Sequence, residues 1–393
     1  MLNQDIVREA TRLTRAGQLV EATTLLQRML RGESAPEAAS GTTARALARE
    51  PPTIDLEATV VGDPESLKPA EATPARRRKH LAPLDRMTER FGLGLRDPIK
   101  RAPPSMADIL PDGARFIDDV YANASGSRTY KLFIPSRYRG QPIPLVVMLH
   151  GCTQSPDDFA AGTRMNFVAE EQTCLVVYPE QPSGANQAKC WNWFRRGDQN
   201  RDSGEPSLIA GITRRIMRDY SIDPKRVYVG GLSAGAAAAA IMAATYNDLY
   251  AAVGIHSGLA CGAAKDLPSA FVAMRQGGGS ESIVAGDGSP IPTIVFHGDR
   301  DTTVHPANGD RILEQSVRAK SPKTTVIRGR VPGGHAYTRT ILTDASGRGI
   351  SEHWNIHGAG HAWSGGSPAG SYTDPQGPEA TREMLRFFLE HSL

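Results

Sequence analysis

The amino-acid sequence predicts an α/β fold, a mostly parallel central sheet with helices on both faces. Three observations carry that reading. From about Ala114 onward, short runs rich in Val, Ile and Leu alternate with stretches of helical periodicity, the pattern of strands joined by crossover helices. The run "PLVVMLHG" is apolar almost throughout, as a central parallel strand is when both its faces are covered. And "VYVGGLSAGAAAAAIMAATY", residues 227–246, joins a β-branched stretch to a run of alanines through one serine bracketed by glycines.

Taken in order, the chain opens with residues 1–31, read as a helical hairpin. "IVREATRL" sets Ile6, Val7, Ala10 and Leu13 on one face, "AGQ" turns the chain, and "VEATTLLQRML" supplies Ala22, Leu26 and Leu30. The spacing resembles a single tetratricopeptide-type unit, which cannot bury its own apolar face. It is expected to dock on the main domain, to self-associate or to bind a partner. Residues 32–113 change character. "SAPEAASGTTARALAREPPT" and "LKPAEATPARRRKH" are rich in Pro, Ala, Ser, Thr and charge, a composition that buries too little to offset ordering entropy. They read as a largely disordered linker, and "RRRK" as a solvated charge run or a site for polyanions.

The remaining residues, 114–393, form the expected catalytic domain. "SRTYKLFIP", "PLVVMLHG" and "CLVVYPE" read as strands. "PSLIAGITRRIMRDY" places Leu208, Ile209, Ile212, Ile216 and Tyr220 on one helical stripe. "RVYVGG" is a strand, the alanine run a helix, and "AAVGIHSG" and "PTIVFHGD" two further strands. "SEHWNIHGAG" is a late strand, and "GPEATREMLRFFLEH" a closing amphipathic helix.

With 45 basic and 42 acidic residues the net charge is +3, so charge calls for neither nucleic acid nor a membrane surface as a partner. No apolar run approaches the ~18 residues of a spanning helix. The first residues lack the apolar core and cleavage site of a secretory signal, and "ARRRKH" at 75–80 has no apolar stretch after it. On the sequence, the protein is expected to be cytoplasmic. Cys152, Cys174, Cys190 and Cys261 have no CxxC spacing, which speaks against a metal site. They would be free thiols in a reducing compartment, whereas in an oxidising one a pair such as Cys152 with Cys190 would close a loop.

The glycine-bracketed serine carries the chemistry. "GLSAG", Gly231 to Gly235, fits G-x-S-x-G between a strand and a helix. Ser233 is expected on a sharp, strained turn. Its flanking glycines would remove Cβ atoms that otherwise collide, and the alanines would let the next helix lie close to the sheet. A serine hydroxyl needs an adjacent base oriented by a third group, in the chain order Ser, acid, His. "IVFHGDRDTTVHP" offers Asp299 and Asp301 just past a strand, where catalytic groups collect in open α/β sheets. Asp301 is the choice and Asp299 the alternative. "HWNIHGAGHAWSGG" offers His353, His357 and His361. His361 follows the "GAG" turn in a loop able to swing over Ser233. His357 is second, and His353 and His357 also fit as core histidines. The oxyanion needs two backbone N–H donors: Ala234, after the nucleophile, and Cys152, after the His-Gly of "MLHGCTQ". Cys152 is thus a backbone donor rather than a nucleophile, and His150 orients its loop.

With "LHGCTQ", "CWNWF", "GLSAG", "HGDRDTTVHP" and "GAGHAWSGG" in that order, the stretch from about Ala114 to Leu393 resembles the polyhydroxybutyrate (PHB) depolymerase type of esterase. This is an α/β-hydrolase family that includes some feruloyl and acetylxylan esterases. The resemblance implies an α/β-hydrolase fold, with Ser233 as nucleophile, Asp301 as orienting acid, His361 as base, and Cys152 and Ala234 as the oxyanion hole. It further implies an extracellular serine esterase acting on short-chain polyhydroxyalkanoate polymer or oligomers, with no metal or cofactor. Two departures, the missing secretion signal and the lack of a C-terminal substrate-binding module, make soluble oligomers or small esters plausible. Trp191, Trp193 and Trp363 flank motif segments and are candidates either to line an acyl pocket or to fill the core. The rival readings are a feruloyl or acetylxylan esterase, a prolyl oligopeptidase-like peptidase, and a granule- or partner-binding protein acting through its hairpin.

Overall fold

A computed structural model describes residues 103–278, 291–317 and 322–393. The hairpin expected at 1–31 and nearly all of the expected linker lie outside the described residues. The linker's assigned end needs correcting. Helix α1 (Met106–Ile109) buries Ile109 among Phe159, Met165 and Phe387, and Asn166 Nδ2 donates to the Ile109 carbonyl at 2.9 Å. This stretch, placed in the linker by its composition, belongs to the folded unit, which begins before Ala114.

Among the described residues ten strands form one sheet: β1 (Arg115–Asn123), β2 (Gly126–Ile134), β3 (Ile143–Leu149), β4 (Leu175–Pro179), β5 (Ile222–Leu232), β6 (Ala252–His256), β7 (Thr293–Gly298), β8 (Lys323–Arg330), β9 (Ala336–Thr343) and β10 (Gly349–His357). Their order is β1-β2-β4-β3-β5-β6-β7-β10-β9-β8. The six central strands, β4 to β10 in that order, are all parallel. An antiparallel β1–β2 pair borders β4, and an antiparallel β8–β9 pair borders β10. Every parallel strand expected from the sequence is present.

The antiparallel flanks show why β1, β8 and β9 went unread. Strand β8 is exposed at nearly every position, and β1 alternates exposed with half-buried residues, so neither carries the apolar pattern by which strands are recognised. The β9 flank is held through charge instead. Glu352 on β10 is buried and accepts from Arg339 on β9 at 3.0 and 2.7 Å.

Helices cover both faces. One apolar layer packs α4 (Gly204–Asp219) and α5 (Ala234–Thr245) on the sheet; the other packs α2 (Pro156–Thr163), α3 (Met165–Gln172) and α8 (Ala380–Leu389). Leu208, Ile209, Ile212 and Ile216 form the buried stripe of α4. Two further helices, α6 (Leu267–Gln276) and α7 (Ala307–Ser316), follow β6 and β7. Helix α5 is buried from Ala234 to Met242, because alanine side chains let its axis approach β3, β5 and β6 closely.

Candidate active site

Strand β5 delivers Ser233 to the start of α5 through a backbone that L residues rarely adopt, φ 57° and ψ −119°. Such a conformation costs about 1–3 kcal/mol and persists only where the surroundings over-determine it. Here they do. A Cβ on Gly231 would lie 2.6 Å from the Gly235 backbone and the Leu149 carbonyl, and one on Gly235 would lie 2.1 Å from the same carbonyl. Only glycine on both sides of the serine lets the turn close against β3. The Ser233 amide donates to His256 O at 2.9 Å, and the Ser233 carbonyl accepts from Ala237 N at 3.0 Å. Its half-buried side chain has no hydrogen-bond partner among the described residues.

Asp301 and His361 meet. His361 Nδ1 donates to Asp301 Oδ2 at 2.7 Å, and Asp301 is 4% exposed. Oδ1 of the same carboxylate accepts from the amides of Thr303 at 2.9 Å and Val304 at 2.8 Å. Burial alone would raise this carboxyl, but the hydrogen bonds from His297 and His361 outweigh it and hold Asp301 well below the usual carboxylate range. An ionised Asp301 keeps the proton of His361 on Nδ1 and leaves Nε2 as the basic nitrogen.

The loop bearing His361 leaves β10, three strands from β5, and returns across the sheet edge. Ser364 N donates to His256 Nε2 at 3.0 Å, and His256 is also the residue whose carbonyl holds Ser233 N. The end of β6 is therefore the shared anchor that brings the His361 loop beside the serine turn. No hydrogen bond joins His361 Nε2 to Ser233 Oγ, and a base–nucleophile contact of this kind commonly tightens only in the complex with substrate.

The loop after β3 supplies the remaining group. Cys152 N and Ala234 N have no acceptor among the described residues, whereas Gly151 N, Thr153 N and Gln154 N are all engaged. His150 is buried and pushed down to about 4 by that burial. Its Nε2 accepts from Gln181 N at 3.0 Å, so Nδ1–H donates to Gly151 O at 2.8 Å. Cys152 is disulfide-bonded to Cys190, so its sulfur is no nucleophile and only its amide remains for chemistry. The four expected groups follow β3, β5, β7 and β10 at their carboxyl ends, where α/β sheets gather reactive groups.

The family model described as "Esterase PHB depolymerase" matches residues 128–328, just over half of the chain. The chain belongs to the PHB depolymerase family of esterases. Poly(3-hydroxyalkanoate) depolymerase C of Paucimonas lemoignei is 36% identical over 228 residues, 56% of this chain and 54% of that protein. The probable acetylxylan esterase A of Neosartorya fischeri is 27% identical over 203 residues, 48% of this chain and 54% of that one. The chain thus spans about half the length of these curated relatives. Among solved structures, an acetyl xylan esterase from Aspergillus awamori aligns over 70% of this chain and 99% of its own with a TM-score of 0.54 at 19% identity. That likeness concerns the fold, which is the α/β-hydrolase fold.

The family match contains Cys152, Ser233 and Asp301 but ends before His361, whose placement rests on the geometry above. The alternatives are accounted for separately. Asp299 pairs with His357 (Nδ1 to Oδ2, 3.0 Å) and accepts from Gly358 N at 2.7 Å, while His357 Nε2 is bonded to Thr338 Oγ1 at 2.9 Å. His353 is buried and pushed down to about 4 by desolvation, and its Nε2 has no partner among the described residues.

Of the two alternatives open for the tryptophans, burial favours the core for two of the three. Trp191 is 0% and Trp363 1% exposed. Trp191 Nε1 donates to His150 O at 3.1 Å and Trp363 Nε1 to Thr381 Oγ1 at 2.9 Å, so both indoles are core members with satisfied polar ends. Trp193, packed edge-on against Phe194, is the one indole of the three that keeps some surface. Sequence reading missed His256, fully buried, stacked between Phe296 and Trp363 and pushed down to about 3 by burial. A histidine ending the apolar strand that follows the serine turn and its helix was the available signal.

Proposed function

We propose that this protein is a serine esterase working through an acyl-enzyme, with Ser233, Asp301 and His361 as its triad. The observation that carries the reading is the Asp301–His361 bond of 2.7 Å on a loop anchored beside Ser233. Ser233 Oγ attacks the ester carbonyl as His361 Nε2 takes its proton, and Asp301 stabilises the imidazolium. The oxyanion rests on the N–H groups of Cys152 and Ala234, aided by the N-terminal dipole of α5. His361 returns the proton to the departing alcohol. Water then attacks the acyl-enzyme by the same general-base route and regenerates Ser233.

The substrate class is short-chain polyhydroxyalkanoate, as polymer or oligomer, a reading supported by the name of the 36% identical relative. An acetylxylan esterase is the second reading, supported by the names of the relatives at 26–28% identity. The Cys152–Cys190 disulfide favours an oxidising, extracellular setting over the cytoplasm. No helix among the described residues is long and apolar enough to cross a membrane. The catalytic unit runs from before Ala114 to the C-terminal helix.

Ser233→Ala is expected to cut p-nitrophenyl butyrate hydrolysis by about 10⁴-fold or more with an unchanged far-UV spectrum. Near wild-type turnover in that variant refutes the assignment. Hydroxybutyrate oligomers, acetylated xylan, feruloyl esters and peptide amides assayed side by side choose the substrate class, and activity on amides without esters would favour a peptidase.

A further inference from the structure

Within the loop Gly151–Gln154 the Gln154 side chain has a position that the esterase mechanism leaves unused. Gln154 is 2% exposed. Its Oε1 accepts the Gly151 amide at 2.9 Å, and its Nε2 donates to Asp158 Oδ2 at 2.9 Å and to the Ser371 carbonyl at 3.2 Å. Asp158 grips Ser371 in turn, accepting its amide at 2.9 Å and its hydroxyl at 2.5 Å. Next door, Tyr372 OH lies 3.1 Å from Thr153 Oγ1. One buried amide therefore joins three things: the loop's first N–H, the N-terminal turn of α2, and the segment that follows His361.

The consequence concerns the peptide linking Gly151 to Cys152. Its carbonyl is held by His150 Nδ1–H at 2.8 Å and by Gln154 N at 3.4 Å. A trans peptide is planar, so its N–H points opposite to its C=O, and gripping that carbonyl sets the direction of Cys152 N–H. That plane turns about ψ of Gly151, a residue with no Cβ to resist it, and φ of Cys152. The Gln154 Oε1 bond to Gly151 N fixes the preceding His150–Gly151 plane at 2.9 Å, so with both planes held ψ of Gly151 has no freedom.

We propose that Gln154 is a positioning residue of the oxyanion hole: by clamping Gly151 N to Asp158 and Ser371, it keeps the Gly151–Cys152 peptide from rotating and Cys152 N–H free for the oxyanion. This inference rests on the esterase reading above. Because the clamp acts where charge develops, its loss weakens transition-state binding and leaves ground-state binding alone.

The test uses the full chain. For Gln154→Ala, kcat on p-nitrophenyl butyrate is expected to fall about 10- to 100-fold with KM within about 2-fold. Inhibition by butaneboronic acid, a tetrahedral mimic, should weaken by the same factor. Gln154→Glu keeps an acceptor for Gly151 N but sets two carboxylates against each other. Pairing it with Asp158→Asn exchanges donor and acceptor, and the double variant is expected to recover kcat to within about 5-fold of wild type. A Gln154→Ala enzyme with wild-type kcat and boronate inhibition overturns the proposal. So does a loss of kcat with unchanged boronate inhibition, or a double variant no better than Gln154→Glu alone. Ser233→Ala run alongside separates the two claims: if wild-type hydrolysis does not depend on Ser233, the esterase reading itself fails.

Discussion

Asp301–His361, the pair of the proposed triad, has a close neighbour in Asp299–His357, and the contrast between them shows why the first was assigned. Asp301–His361 and Asp299–His357 are bonded alike, through Nδ1, at 2.7 and 3.0 Å. They come from the same two loops, since both acids follow β7 and both bases end or follow β10. The surroundings separate them. The side chains of Asp301 and His361 are 0% and 12% exposed, those of Asp299 and His357 35% and 41%. His357 Nε2 is occupied by Thr338, while His361 belongs to a loop that returns to the serine turn. In a dry setting the first pair's charge acts undiluted on its imidazole, whereas water screens the second.

That contrast gives the largest expected effect after loss of the serine. Asp301→Asn should lower kcat/KM by about 10³–10⁴-fold through the wrong imidazole tautomer. Asp299→Asn should change kcat/KM by less than about 3-fold, as an exposed pair contributes little. Equal losses in the two variants would erase the distinction.

Acid stability sharpens it from another side. Burial lowers His150 from 6.5 to about 4 and His256 from 6.5 to about 3. Below about 6.5 the unfolded chain takes up protons that the folded protein refuses, so the unfolded state binds more protons and stability falls as pH drops. The contribution is complete above about 6.5 and disappears progressively down to the folded values. Each histidine contributes a slope of about 1.4 kcal/mol per pH unit in that window. Urea denaturation at pH 7 and pH 5 measures it, and His256→Gln should flatten the curve. A flat profile for the native chain would mean that these rings are not held neutral.

A smaller effect tests the indoles. Trp363→Phe should cost about 1–3 kcal/mol of stability, through a lost hydrogen bond and a small cavity, with KM unchanged. A raised KM with unchanged melting would return Trp363 to the acyl pocket.

How far the sequence reached follows the same physics. The serine turn was legible because G-x-S-x-G at a strand–helix junction is a steric demand, and the collisions that a Cβ would meet at Gly231 and Gly235 are that demand in space. Asp301 and His361 could be ranked over their neighbours from loop position. What separates the pairs is burial and the partner of each Nε2, properties of loops folding back on the sheet that no local spacing encodes. The β8–β9 flank was silent because exposed strands held by cross-strand bonds and a buried Glu352 need no apolar alternation. Gln154 stood in the quoted "LHGCTQ", but its role depends on Asp158 and on Ser371, 217 residues away.

The most direct test of the central claim is covalent. Treatment with a fluorophosphonate followed by peptide mass spectrometry should place one adduct on Ser233, in the wild type and equally fast in Asp299→Asn, but far more slowly in Asp301→Asn. An adduct on another residue, or ester hydrolysis that continues while Ser233 remains unmodified, would contradict the account.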